Sequence, residues 1–151
     1  MTPRLQVRVT TEDFEPAVEL SQLEALPGGA VASFTGLVRD DGGLEALHLE
    51  QYPGMTQRQL EAVVAQAADR WPLLGITVIH RHGTLPVGAR IVFVGTSSSH
   101  RVAALESCAF LIDWLKVSAP FWKRAIRADG TGEWVEAHHA DDARAAAWRP
   151  D

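Results

Sequence analysis

The chain predicts an α+β domain with a largely antiparallel or mixed sheet and about three helices, and three observations lead there. β-Branched or alternating stretches recur in several separated blocks, longer segments between them repeat apolar residues at helical spacing, and no linker, low-complexity stretch or internal repeat divides the whole. With 151 residues, 46% of them hydrophobic and 22% charged, there is apolar material for one compact core spanning the chain, with a polar tail from about His138.

The elements follow in order. "LQVRV" alternates Leu5, Val7 and Val9 with polar neighbours, the pattern of a half-buried strand. "EPAVELSQLEAL" places Val18, Leu23 and Leu26 at roughly helical spacing, and Pro27, Gly28 and Gly29 end that helix. "AVASFTGLVRD" is a strand with Gly36 inside it, marking a bulge or a close approach, and "DDGG" is the loop that follows. "LEALHLEQY" is a further strand. Thr56 and Gln59 form a capping box, and Leu60, Val63, Val64, Ala67 and Trp71 share one face of a helix that runs to about Arg70 before Pro72. "ITVIHRHG" and "RIVFVGTS" are strands joined by the turn-like "TLPVGA". Ser98 or Ser99 caps the next helix, along which Val102, Leu105, Ala109, Ile112 and Leu115 recur every three or four residues. Pro120 disfavours helical geometry at Ala119, so this helix ends near Val117 and "PFWKRA" runs extended. A short strand, "EWVEA", precedes the tail.

Charge and cysteine content exclude several functions. A net charge of -5 argues against nucleic-acid binding, which needs a basic surface to neutralise phosphates, so any anion site is local. Cys108 is the only cysteine, which rules out an intrachain disulfide and a cysteine-built zinc site and favours a reducing compartment. "MTPRLQVRVTTEDF" has no apolar signal core and no run reaches membrane-spanning length, so a cytoplasmic protein without a membrane partner is expected.

Cations mark the candidate site. "LIDWLKVSAPFWKRA" sets Lys116 at the end of an apolar helix and Lys123 after a proline break, where Phe121 and Trp122 could wall off water and shift a lysine toward its neutral form. A plain helix end with favourable dipole charge is the alternative. His100 and Arg101 open the same helix, where unpaired N–H groups favour an anion, and Arg39 follows Gly36 at a strand end, placed for bidentate phosphate binding. His80 and His82 share a strand face and His138 and His139 are adjacent, but no carboxylate or cysteine stands at metal-ligand spacing beside them. Hydrogen-bonded or solvated histidines are the simpler reading.

Five blocks, "GAVASFTGLVRD", "LHLEQYPGMT", "VIHRHGTLPVG", "VFVGTSSSHRVAALESCAFLIDWLKVSAPFWK" and "WVEA", in this order from about Gly29 to Ala137, resemble the MoaE family, the large catalytic subunits of molybdopterin synthase. The resemblance implies a hammerhead-like α+β fold and a homodimer with a small ubiquitin-like sulfur-carrier subunit at each end, a heterotetramer overall. It implies sulfur transfer from the C-terminal thiocarboxylate of that small subunit to cyclic pyranopterin monophosphate, giving molybdopterin, with no metal or other cofactor in this subunit. Lys116 and Lys123 match the catalytic positions, and both also match substrate-binding positions together with Arg39, His100, Arg101, Arg124 and His138.

Two departures stand out. The family commonly has a glutamate where this chain has Ala125, and often an arginine where it has His138. Two other readings remain: a noncatalytic docking module for a ubiquitin-like tail, and a different phosphate-ester enzyme that uses His100 and Arg101 as its clamp.

Overall fold

The computed structural model describes residues 2–135 and 139–149, the first three of the second stretch by backbone alone. The element order is β1 (Arg4–Thr10), α1 (Pro16–Glu24), β2 (Ala30–Leu37), β3 (Leu44–Gln51), α2 (Met55–Arg70), β4 (Leu73–Arg81), β5 (Gly83–Pro86), β6 (Arg90–Ser98), α3 (Arg101–Val117), β7 (Phe121–Arg127), β8 (Gly132–Trp134) and α4 (His139–Ala146). The strands form two sheets, ordered β1-β4-β6-β2 and β5-β3-β7-β8. The first is mixed, because β1 runs parallel to β4 while the other neighbours are antiparallel. The second is antiparallel throughout.

The chain changes sheet after Gly36. The β2–β6 register slips between Gly36 and Leu37, and a Cβ on Gly36 would lie 2.7 Å from Val92 Cγ1, so both expectations for this glycine hold. Gly42 and Gly43 then take φ of 79° and 135°, open to glycine, and turn the chain into β3.

Alternation along the central strands divides the core. Ile76, Val78, Val92 and Val94 face α2 and α3, where Leu60, Val63, Val64 and Ala67 meet Ala104, Cys108, Leu111 and Leu115. Ile79 and Phe93 face the other way, onto Phe14 and Leu23 of the α1 side. A third cluster, Val38, Leu49 and Leu85, fills the second sheet. The Cys108 thiol lies inside the first layer, donates to the Val94 carbonyl at 3.8 Å, and is pushed by burial up to about 12.

Several local expectations change. Thr56 is not a cap: Gly54 holds that position, and the buried Thr56 hydroxyl accepts from the Tyr52 N–H and donates to the Pro120 carbonyl at 3.1 Å. His100 precedes α3 with no side-chain cap, and Ser98 instead donates to the Pro72 carbonyl. The buried face of α3 is Ala104, Cys108, Leu111 and Leu115, whereas Val102 and Leu105 are 57% and 60% exposed. Both faces of this helix are apolar, so periodicity alone does not separate them. The turn-like "TLPVGA" contains β5, paired with β3. The tail contains α4, which Trp148 anchors by edge contacts to Trp71 and Phe110 and by a 2.7 Å bond from Nε1 to Asp113. Arg70 lies over the Trp71 and Trp148 rings and donates to the Trp148 carbonyl. Among the described residues no helix is long and apolar enough to cross a membrane.

Candidate active site

α3 and β6 run in opposite directions, and two hydrogen bonds fix their alignment. Thr96 donates to the Ala104 carbonyl at 2.7 Å, and Cys108 reaches Val94 four residues further along the helix. As α3 advances, β6 recedes, so Lys116 in the last helical turn arrives over the end of the first sheet where His80 pairs with Val92. The Ser118 N–H closes the helix on the Trp114 carbonyl at 2.8 Å. Pro120 is then held by Thr56 of α2, and β7 begins.

Phe121, Lys123 and Ala125 share one face of β7, since side chains alternate along a strand. Phe121 stacks on His80, with ring centroids 3.8 Å apart and planes 17° from parallel. His80 is 4% exposed and its Nδ1 meets the Arg81 carbonyl at 2.9 Å. A backbone carbonyl only accepts, so Nδ1 carries the proton of a neutral ring. Burial lowers the His80 pKa to about 3; the Arg81 bond opposes this, and the charges of Lys123 and Lys116, then His82, reinforce it. The two lysines, one on the helix packed against the first sheet and the other on a strand of the second, 7 positions apart in sequence, thus both act electrostatically on one buried imidazole.

The remaining predicted residues are spread out. Arg39 lies at the same end of the first sheet, exposed, directly after Val38, whose N–H and carbonyl are both bonded, to Ala89 and Gly88. His100 and Arg101 lie at the other end of α3, about 22 Å from Lys116 at 1.5 Å per residue. One phosphate cannot span that distance, so Arg39 does not meet His100 and Arg101 within one chain. Arg124 lies on the face of β7 opposite Lys123. Trp122 is there too, edge-on to Tyr52 and Trp134, so of the two aromatics expected beside the lysines only Phe121 shares the face of Lys123. Ala125 is buried on the face of Lys123, where the family's glutamate would carry charge. His138 lies outside the described residues.

Among the described residues no group of three or more His, Cys, Asp or Glu is placed to hold a metal ion. His82 points to Gln51, 3.1 Å from its amide, and burial lowers its pKa. A groove of about 520 Å³ between β1 and α2, lined by Gln6, Arg8, Gln57 and Glu61, holds none of the predicted site residues. His80 and Thr56 are the residues that sequence reasoning missed: one appeared only as a doubtful metal ligand, the other as a cap.

The family model described as MoaE protein matches residues 9–118, well over half of the chain. The chain belongs to the MoaE family. A relative in Mesorhizobium japonicum named molybdopterin synthase catalytic subunit is 48% identical over 147 residues, covering 95% of this chain and 92% of that protein. Among solved structures, a molybdopterin biosynthesis MoaE protein from Burkholderia ambifaria superimposes with a TM-score of 0.81 at 41% identity, covering 95% of this chain and 97% of the other. A complex of subunits 1 and 2 of molybdopterin-converting factor from Helicobacter pylori matches at TM-score 0.68 and 22% identity, over 89% and 90% of the two chains, a likeness of fold. The family's hammerhead-like α+β fold is thus the fold of this chain.

Proposed function

We propose that this chain is the catalytic subunit of a molybdopterin synthase in molybdenum cofactor biosynthesis. It transfers sulfur from the C-terminal thiocarboxylate of a small ubiquitin-like subunit to cyclic pyranopterin monophosphate. The charges of Lys116 and Lys123 both acting on buried His80, on which Phe121 of the Lys123 strand stacks, carry the reading. Both reactants are anionic and would repel each other in water; two fixed cations offset that repulsion and orient the pair. Lys116, exposed at the helix end, receives the partner's thiocarboxylate. Lys123, deeper on β7, faces the pterin and stabilises charge as the sulfur adds and the cyclic phosphate opens. Water then releases the partner as a carboxylate, and a second thiocarboxylated partner supplies the second sulfur.

The phosphate site is built from two copies of the chain. Arg39 belongs to the lysine end, and His100 and Arg101 come from a second protomer, because within one chain they stand a helix length away. The exposed Val102 and Leu105 beside Arg101 supply apolar surface for that contact. Arg124 and His138 keep their assignment to substrate binding. The lone, buried Cys108 suits a cytoplasmic setting.

Incubation with the thiocarboxylated small subunit and the cyclic pterin tests the reading. Molybdopterin should form in proportion to the thiocarboxylate consumed, two sulfurs per pterin. Tight binding of the small subunit with no product would instead leave a docking module.

A further inference from the structure

We propose that His80 is a positioning residue for the lysine pair: its neutral ring, fixed at Nδ1 by the Arg81 carbonyl, carries Phe121 and so sets where β7 presents Lys123 opposite Lys116. This rests on the function proposed above. The two lysines belong to different layers, Lys116 to the helix packed on the first sheet and Lys123 to a strand of the second. Their separation therefore depends on how the second sheet sits on the first, and near the lysines one join, beside the Thr56 bond to the Pro120 carbonyl, is the stack of His80 on Phe121. Lys123 follows Phe121 by two residues on the same strand face, so a shift of the Phe121 ring moves the ammonium with it. Misplacement of about 1 Å at a reacting group is enough to lose a large part of a rate.

A histidine suits this position for a second reason. The groups acting on it are Lys123 from β7, Lys116 from α3 and His82 beyond β4, besides the Arg81 carbonyl. Two are cations, so a protonated ring would add a third positive charge to a pocket meant for two anions, and burial keeps it neutral throughout the physiological range. Because the ring does not titrate there, its part is to hold geometry and not to carry protons.

Two variants in the reconstituted synthase separate these roles. His80→Phe keeps a stackable ring while giving up the Nδ1 bond, which accounts for the small loss allowed it below, and His80→Leu fills similar volume with neither. We expect His80→Leu to lose at least about tenfold in kcat, with KM for the small subunit within about twofold, and His80→Phe to stay within about threefold of wild type. The kcat ratio of His80→Leu to wild type should be flat from pH 6 to 8. Wild-type kcat in His80→Leu, a loss confined to KM, equal losses in both variants, or a ratio that follows an ionisation near pH 6.5 would each overturn the proposal. Wild-type and Lys123→Ala proteins run alongside tell its failure from that of the function: inactive wild type sinks the function, whereas active wild type, dead Lys123→Ala and unaffected His80→Leu sink the positioning role alone.

Discussion

At its C-terminal end α3 delivers Lys116 to a prepared setting, with a buried imidazole, a phenyl ring stacked on it and a strand whose Lys123 acts on the same imidazole. At its N-terminal end the same helix presents His100 and Arg101 without a side-chain cap, beside Val102 and Leu105, which stay more than half exposed among the described residues. The first end has its surroundings supplied by its own chain; the second, in the function proposed above, is completed by another protomer. Rigid support belongs where bonds are made and broken, whereas a cation that only holds a phosphate can arrive on another protomer.

The contrast is tested most severely at the lysines. Lys116→Ala and Lys123→Ala should each lower product formation by at least about 100-fold, while stability moves by no more than about 1 kcal/mol. Steady-state assays and thermal melts together check this, and normal turnover in either variant removes that lysine from the chemistry. At the other end the expected loss is one of binding. Arg101→Ala should weaken pterin affinity by about 1.5–3 kcal/mol in calorimetry and leave small-subunit docking nearly unchanged.

Mixing the two kinds of variant sharpens the comparison. If each site takes Lys116 from one protomer and Arg101 from the other, a mixed dimer of Lys116→Ala and Arg101→Ala chains holds one intact site and one doubly impaired site. Random reassortment should then restore about a quarter of wild-type activity from two impaired parents. No recovery after subunit exchange, with the exchange itself verified, would mean the two ends do not share a site.

The prepared end also has a signature in acid. Native His80 takes up its proton only near pH 3, whereas the unfolded chain takes it up near 6.5, so as pH falls between these values the unfolded state binds the extra proton and gains. Stability should be insensitive to this group above about pH 7 and should decline below 6.5, by about 2 kcal/mol at pH 5. Urea melts of wild type and His80→Phe should differ in that slope. The smallest expected effect is at the tether behind the lysines: Thr56→Val leaves the Pro120 carbonyl and Tyr52 N–H without their partner, costing about 1–2 kcal/mol. Unchanged stability there would show that water replaces the hydroxyl.

How much of this the sequence reveals follows the range of the signal. α2 is legible because Leu60, Val63, Val64 and Ala67 form one stripe against polar neighbours, and all four are buried. The end of α3 is legible because Pro120 acts locally, but its buried face is not, since Val102 and Leu105 are as apolar as the residues inside. β5 is four residues long, ends in Pro86 and exists through its pairing with β3, a contact no local pattern encodes. α4 does carry a local signal in its alanines, obscured by the charges among them. The lysines stand out in sequence as an unusual pair, whereas the ring between them does not: His80 and Phe121 meet from strands far apart in the chain, and a strand histidine looks the same whether it faces solvent or a phenyl ring. The split of Arg39 from Arg101 is likewise topological, decided by the antiparallel run of α3 against β6.

Cys108 gives this molecule a built-in clock. Its thiol is sealed between α3 and the first sheet and held in the unreactive protonated form, so an alkylating reagent should modify the protein only in the moments when the helix lifts away. With one sulfhydryl in the chain, each mass increment records one such opening. The rate of labelling, with and without the small subunit bound, would therefore time how often the helix that carries Lys116 leaves its seat.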